Sequence, residues 1–112
     1  MANPRHETRT DVFSTLGSDA DLADLVDLFV AEMPERIARV MELLGKHDWP
    51  SLARTAHQLK GAAGSYGFHQ VTPLARHLEL TLCNQEPESQ IEQAALELID
   101  LCHRVRRGSP PA

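Results

Sequence analysis

Apolar residues recur along most of the chain with the roughly 3.6-residue period of an α-helix. One narrow apolar stripe runs from about Asp19 to Leu44, and similar stripes occupy about residues 49–66, 70–84 and 88–106. No segment alternates apolar and polar residues over a useful length, so we predict no strands. The stripes predict a core built from Leu22, Val26, Phe29, Met33, Ile37, Val40, Leu44, Leu52, Ala56, Leu59, Ala63, Tyr66, Val71, Leu74, Leu78, Leu82, Ile91, Ala95, Leu98, Cys102 and Val105.

The same pattern predicts how the helices are arranged. A short additional helix is expected at about Asp11–Leu16, where the apolar residues fall on one side. Asp48 is expected to cap the second long helix, and short connections between long helices favour antiparallel neighbours. We therefore predict an all-α fold, an antiparallel up-down-up-down four-helix bundle with a short extra N-terminal helix. Residues 10–106 form this domain, and residues 1–9 and 107–112 are expected to be flexible tails.

Length, charge and cysteine content exclude several classes of protein. The chain has 112 residues, which suits one domain, and a formal net charge of −5 at pH 7, which argues against nucleic-acid binding. No apolar run approaches the ~20 residues that span a bilayer, and the first residues lack the apolar segment of a signal peptide. Cys83 and Cys102 match no metal or redox spacing. We expect a cytoplasmic monomer that binds neither nucleic acid nor membrane.

One part of the second helix, Ala53–Gly67, is unusual for a structural helix. On the helical wheel His57 projects about 140° from the core stripe, so we expect its ring in solvent. Gly61 and Gly64 lie on the same side, and Lys60 lies beside the histidine. A glycine inside a helix costs ~1 kcal/mol relative to alanine. We therefore interpret both glycines as bare positions that give a partner protein access to the imidazole.

An exposed imidazole beside an ammonium group suits phosphoryl transfer. Neutral histidine presents a nitrogen lone pair, and its ordinary pKa of about 6.5 leaves much of it neutral near pH 7. Phosphoryl transfer depends on in-line positioning and charge neutralisation, which His57 and Lys60 could supply. The other histidines lack such surroundings, and we assign no chemistry to His6, His47, His69, His77 and His103.

The segment Ala56–Gly67 reads Ala-His-Gln-Leu-Lys-Gly-Ala-Ala-Gly-Ser-Tyr-Gly. It closely resembles the motif of the histidine-containing phosphotransfer (Hpt) family, in which a histidine is followed by x-Leu-Lys-Gly, two small residues and a later glycine. Residues Leu25–Ile37 and Leu74–Glu79 resemble the helices on either side of that motif, and His47–Trp49 resembles the preceding loop. The resemblance covers about residues 10–106.

This resemblance implies a four-helix bundle that carries a phosphoryl group on Nε2 of its histidine. His57 matches the phosphorylated residue, Lys60 the lysine that stabilises phosphoryl charge, and Gly61 the glycine that gives access. The group would come from a receiver-domain aspartate or a sensor kinase, and would pass to the aspartate of a response-regulator receiver domain. The implied protein is a carrier without kinase activity of its own. It needs no cofactor, because the partner receiver supplies Mg²⁺.

Partners are therefore expected to be a receiver domain and a sensor or hybrid histidine kinase. Their docking surface should be apolar around His57 with polar groups at its rim. Leu28 falls outside the core stripe of its helix, and Leu25 lies at the edge of that stripe. We predict partner contacts at Leu25, Leu28, Ala53 and Gln58.

Two other functions stay open. A metal-binding bundle would use paired Glu-x-x-His motifs on facing helices, and the nearest match here is Asp100-Leu101-Cys102-His103. A domain with the Hpt fold could also bind a regulator without transferring phosphate. Metal analysis tests the first alternative, and incubation with a phosphorylated receiver tests the second.

Overall fold

Residues 10–108 are described by the computed structural model, and four α-helices account for most of them. The helices are α1 (Ala23–Gly45), α2 (Trp49–Ser65), α3 (Val71–Cys83) and α4 (Glu88–Cys102), and two short strands are β1 (Val12–Phe13) and β2 (Val105–Arg106). Helix α2 packs against α1 and α3, and α4 completes the ring by packing against α3 and α1. The four-helix prediction is confirmed, and the up-down-up-down order of all four helices stays a prediction.

The apolar stripes form the core, as their period predicts. Four predicted core residues, Leu22, Leu44, Tyr66 and Leu74, are only half-buried, and Leu43 is buried at the end of the α1 stripe instead of Leu44. The thiol of Cys102 belongs to this core, and its burial raises the pKa to about 12, so the thiol stays protonated. The other buried stripe residues are Val26, Phe29, Met33, Ile37, Val40, Leu52, Ala56, Leu59, Ala63, Val71, Leu78, Leu82, Ile91, Ala95, Leu98 and Val105.

The predicted short helix at Asp11–Leu16 is wrong, and so is the prediction of no strands. This segment contains β1, which pairs in parallel with β2, and Val12 lies opposite Val105. The last helix correspondingly ends at Cys102 instead of continuing to Arg106.

Hydrogen bonds to distant segments explain this difference. The N–H of Val12 donates to the carbonyl of Arg104 at 2.7 Å, and the N–H of Thr15 donates to the carbonyl of Gly67 at 3.0 Å. A six-residue helix would leave most of its own N–H and C=O groups without an internal partner. Residues 1–9 and 109–112, which include most of both predicted tails, lie outside the described residues.

Both ends of α2 are fixed by local contacts. Asp48 caps the start, as predicted, and accepts a hydrogen bond at Oδ1 from the N–H of Ser51 at 3.3 Å. Pro50 stands in the first turn, where its missing N–H costs nothing. After the last turn, Gly67 adopts a φ of +80° and lies directly against Ser14. The helix that carries His57 is thereby held at both ends.

We expect Gly67→Ala to lower the free energy of unfolding by roughly 1–3 kcal/mol. An alanine Cβ at this left-handed position would lie 2.6 Å from Ser14 Oγ. Gly45→Ala is the matched control, since a Cβ there meets nothing within 4 Å, and we expect it to raise the free energy by about 0.4–1 kcal/mol. Urea unfolding followed by circular dichroism measures both, and equal stabilities of the two variants would contradict the assignment.

Candidate phosphotransfer site

The ring of His57 stands on the exposed side of α2, and its side chain is 64% exposed. Ala56, immediately before it in the sequence, and Leu59, two residues after it, are buried in the core. These contacts anchor the backbone of α2 while the imidazole remains open to solvent. The exposed imidazole therefore stands on a helix that the bundle holds in place.

A carboxylate on the neighbouring helix binds both predicted charged residues of the site. Oε2 of Glu79 on α3 lies 2.7 Å from Nδ1 of His57, and Oε1 accepts a hydrogen bond from Nζ of Lys60 at 2.7 Å. The carboxylate is 19% exposed and the lysine side chain 28% exposed. The lysine that the sequence places beside the imidazole is thus paired with the same glutamate as the ring.

This pairing determines which ring nitrogen is free. The hydrogen bond from Lys60 is the largest cause that lowers the pKa of Glu79, the bond to His57 acts in the same direction, and burial opposes them. Glu79 is therefore ionised near neutral pH and can only accept hydrogen bonds. Nδ1 of His57 must then carry the donated proton. In the neutral ring, the lone pair lies on Nε2.

The two glycines next to His57 have different surroundings. A Cβ built on Gly61 would meet nothing within 4 Å, so the surface one turn after His57 is bare. A Cβ on Gly64 would lie 3.7 Å from Oγ1 of Thr72 on α3, an ordinary contact distance, and Gly64 is half-buried. Gly61 leaves open space outside the bundle, whereas Gly64 lies against α3.

Ala53 and Gln58 lie at two separate grooves beside the site. Ala53 is half-buried and lines an apolar groove with Trp49, Pro50 and Leu82. Gln58 is exposed and lines a groove between α2 and α1 that contains polar and charged side chains. The surface around His57 is therefore apolar on one side and polar on the other.

Leu25 and Leu28 are the two predicted contacts on α1. Their exposed fractions are 45% and 54%, well above those of the core residues beside them. The neighbouring Phe29 is buried and packs against Tyr66, which follows the last turn of α2, with ring centroids 5.4 Å apart. This segment of α1 thus packs beside the end of the helix that carries His57.

Glu79 is the site residue that sequence analysis missed. It follows the core residue Leu78 on α3, and the apolar pattern of that helix does not distinguish it from other polar surface residues. Its contact with His57 joins residues far apart in sequence, and periodicity cannot show which side chains of two helices meet. The available signal was an acidic residue at the edge of an apolar stripe, which is common in surface helices.

Two further findings concern the alternatives. Within residues 10–108, no three His, Cys, Asp or Glu side chains are grouped in a way that could hold a metal ion. The described part of the chain therefore offers no donor set for the metal-binding bundle. None of its helices combines the length and the apolar character needed to cross a membrane.

We expect Glu79→Gln to lower the free energy of unfolding at pH 7 by about 1 kcal/mol, because it removes a partly exposed ion pair. The pKa of Glu79 is lower in the folded protein than its ordinary value of 4.5. The stabilisation is therefore complete above pH 4.5 and is lost as the pH falls through the lower, folded pKa. Urea unfolding from pH 7 to 3 should show the two proteins converging.

Glu92→Gln, on the exposed surface of α4, removes the same charge away from the site and serves as the control. A constant difference between wild type and Glu79→Gln at every pH would contradict the ion-pair explanation.

Comparison with known families identifies the chain. The family model of the Hpt domain matches residues 24–108, which include His57, Lys60 and Glu79. Comparisons with curated proteins and with solved structures gave no match. The family match confirms the resemblance found in the motif. Because it covers most of the chain, the chain belongs to the Hpt domain family, whose members carry phosphoryl groups in two-component signalling and interact with receiver domains and histidine kinases.

Proposed function

We propose that this protein is a phosphorelay intermediate that is phosphorylated on Nε2 of His57. It accepts the group from a receiver-domain aspartate or a sensor kinase, and passes it to a response-regulator receiver aspartate. The observation that carries this proposal is the hydrogen bond between Nδ1 of His57 and Glu79, which leaves Nε2 as the free nitrogen of an exposed ring.

The chemistry needs little from the carrier. When an aspartyl phosphate is the donor, its O–P bond breaks as the N–P bond to Nε2 forms, and the aspartate carboxylate is regenerated. Nδ1 keeps its proton, so the phosphorylated ring gains positive charge. The carboxylate of Glu79, 2.7 Å from Nδ1, offsets that charge. Transfer onward to a receiver reverses these changes.

Lys60 is proposed to stabilise the charge of the phosphoryl group. An ammonium has three N–H donors, and one of them is bonded to Glu79 at 2.7 Å. The other two are free to bond phosphoryl oxygens as the group forms its bond to Nε2. The same contact keeps Lys60 within reach of the ring, because the shared carboxylate binds both side chains.

The docking surface is proposed to surround His57. Gly61 and Gly64 provide close access along α2, and Ala53 and Gln58 contact the partner on either side. Leu25 and Leu28 of α1 extend the surface, which accounts for two leucines that are about half exposed. A centre of small and apolar residues with a polar rim suits a transient protein–protein interface.

We propose that the protein works as a cytoplasmic monomer without kinase activity or a cofactor of its own, and that the receiver supplies Mg²⁺. The intact Lys60–Glu79–His57 arrangement favours transfer over regulator binding alone, because binding alone needs no nucleophile held in one tautomer. Binding without transfer is the alternative outcome of the experiment that follows.

We expect the purified protein to take the acid-labile phosphoryl group from a phosphorylated receiver domain, and His57→Gln to take none, because the amide has no nucleophilic ring nitrogen. Radiolabelled transfer followed by gel analysis measures this over a panel of receivers from the source organism. His103→Gln changes another exposed histidine and is the control. Labelling of the His57→Gln protein would contradict the site, and stable binding of a receiver without labelling of the wild type would favour the alternative.

We expect Gly61→Leu to slow transfer from a receiver by at least about tenfold, since the added side chain would occupy the bare surface beside the ring. Gly45→Leu adds the same side chain at a position equally free of neighbours, at the far end of α1. Stopped-flow or quench-flow transfer rates compare the two variants. A Gly61→Leu protein as fast as Gly45→Leu would contradict the access role of Gly61.

A further inference from the structure

The contacts between helices α2 and α3 include two pairs of residues. Glu79 lies against His57, and Thr72 lies against Gly64. The two residues on each helix are seven positions apart, so two positions on each helix, three and four residues along, share the face between the two contacts. On α3 these positions are Ala75, which is buried in the core, and Arg76, which is exposed four residues after Thr72 and three before Glu79.

On α2 they are Lys60, which pairs with Glu79, and Gly61, which is exposed four residues after His57 and three before Gly64. Arg76 therefore lies across from a residue that has no side chain. A Cβ on Gly61 would meet nothing within 4 Å, so the surface at this position, one turn after the imidazole, is open. Arg76 itself is exposed, and no ion pair or hydrogen bond within residues 10–108 holds its guanidinium.

The balance of charge at the phosphorylated site favours a second cation in addition to Lys60. Lys60 and Glu79 neutralise each other at 2.7 Å in the unphosphorylated protein. A phosphoryl group adds roughly 1.5 to 2 negative charges near pH 7, and the single positive charge that the ring gains on phosphorylation balances them only in part. Arginine suits the remaining charge because its planar fork can donate two parallel hydrogen bonds to a phosphoryl group.

Another arginine near the histidine fits this role less well. Arg54 lies one turn before His57 on α2, but it lines the groove between α2 and α1 on the side of Gln58. Arg54 therefore lies on the side of α2 that faces α1, whereas Glu79 contacts His57 from α3 on the other side. It has the same charge as Arg76 and is likewise exposed, and Arg54 therefore offers a matched control.

We propose that Arg76 is a second cation that binds the phosphoryl group carried by His57. This inference rests on the proposed phosphorylation of His57 and adds a residue that the Hpt motif itself does not contain. Arg76 would bond phosphoryl oxygens from α3 across the bare surface of Gly61, while Lys60 bonds them from α2. Both helices would then hold the group.

A small phosphoryl donor tests this contact without a partner protein. Phosphoramidate transfers its phosphoryl group to imidazole, so its N–P bond breaks, a new bond to Nε2 forms, and ammonia leaves. The wild type, Arg76→Gln, Arg76→Lys, Arg54→Gln and His57→Gln are each incubated with it. The rate of phosphorylation and the pKa of the attached phosphoryl group are followed by ³¹P NMR.

We expect Arg76→Gln to be phosphorylated roughly five- to tenfold more slowly than the wild type, as the loss of one exposed charge-assisted contact would give. The pKa of its phosphoryl group should be higher, since a nearby cation favours the doubly charged form. Arg76→Lys should recover part of both effects, and Arg54→Gln should stay within about twofold of the wild type. All these side chains are exposed, so folding is preserved.

Equal rates and equal phosphoryl pKa values in Arg76→Gln and the wild type would overturn the role of Arg76 and leave the phosphorylation of His57 intact. Equal losses in Arg76→Gln and Arg54→Gln would also overturn it, because they would reflect net charge instead of a contact. A wild type that labels no more than His57→Gln would overturn the inference together with the proposed function.

Discussion

The carboxylate of Glu79 is the contact on which the candidate site depends. It joins α3 to α2 by hydrogen bonds of 2.7 Å to both His57 and Lys60. An exposed histidine on a helix surface would otherwise rotate between staggered positions and exchange its two tautomers freely. The glutamate favours one ring orientation and one protonated nitrogen. A side chain in solvent thereby acquires the fixed geometry that in-line transfer requires.

The rest of the fold keeps these helices in register. Ala56 and Leu59 anchor α2 in the core next to His57, and Leu78 anchors α3 next to Glu79. Each charged residue of the site thus neighbours a buried one in sequence, so the core sets the distance between the two helix surfaces. The packing that stabilises the bundle also positions the site.

Sequence reasoning succeeded where the information is local. The period of the apolar residues predicts four helices and most of their buried positions, and the helical wheel places the ring of His57 outside the core. It failed where distant segments meet. Val12 pairs with Val105 because each finds backbone partners in the other terminal segment, whereas a helical wheel considers one segment at a time. Glu79 was not predicted for the same reason, since its role in the site depends on its contacts with side chains of α2.

The most direct test of this account is the state of the two ring nitrogens of His57. In protein labelled with ¹⁵N, NMR near neutral pH should show the neutral ring protonated on Nδ1, with Nε2 unprotonated. After phosphorylation by a receiver domain, ³¹P–¹⁵N coupling should place the phosphoryl group on Nε2. A neutral ring protonated on Nε2, or a phosphoryl group on Nδ1, would contradict the claim that Glu79 selects the nucleophilic nitrogen.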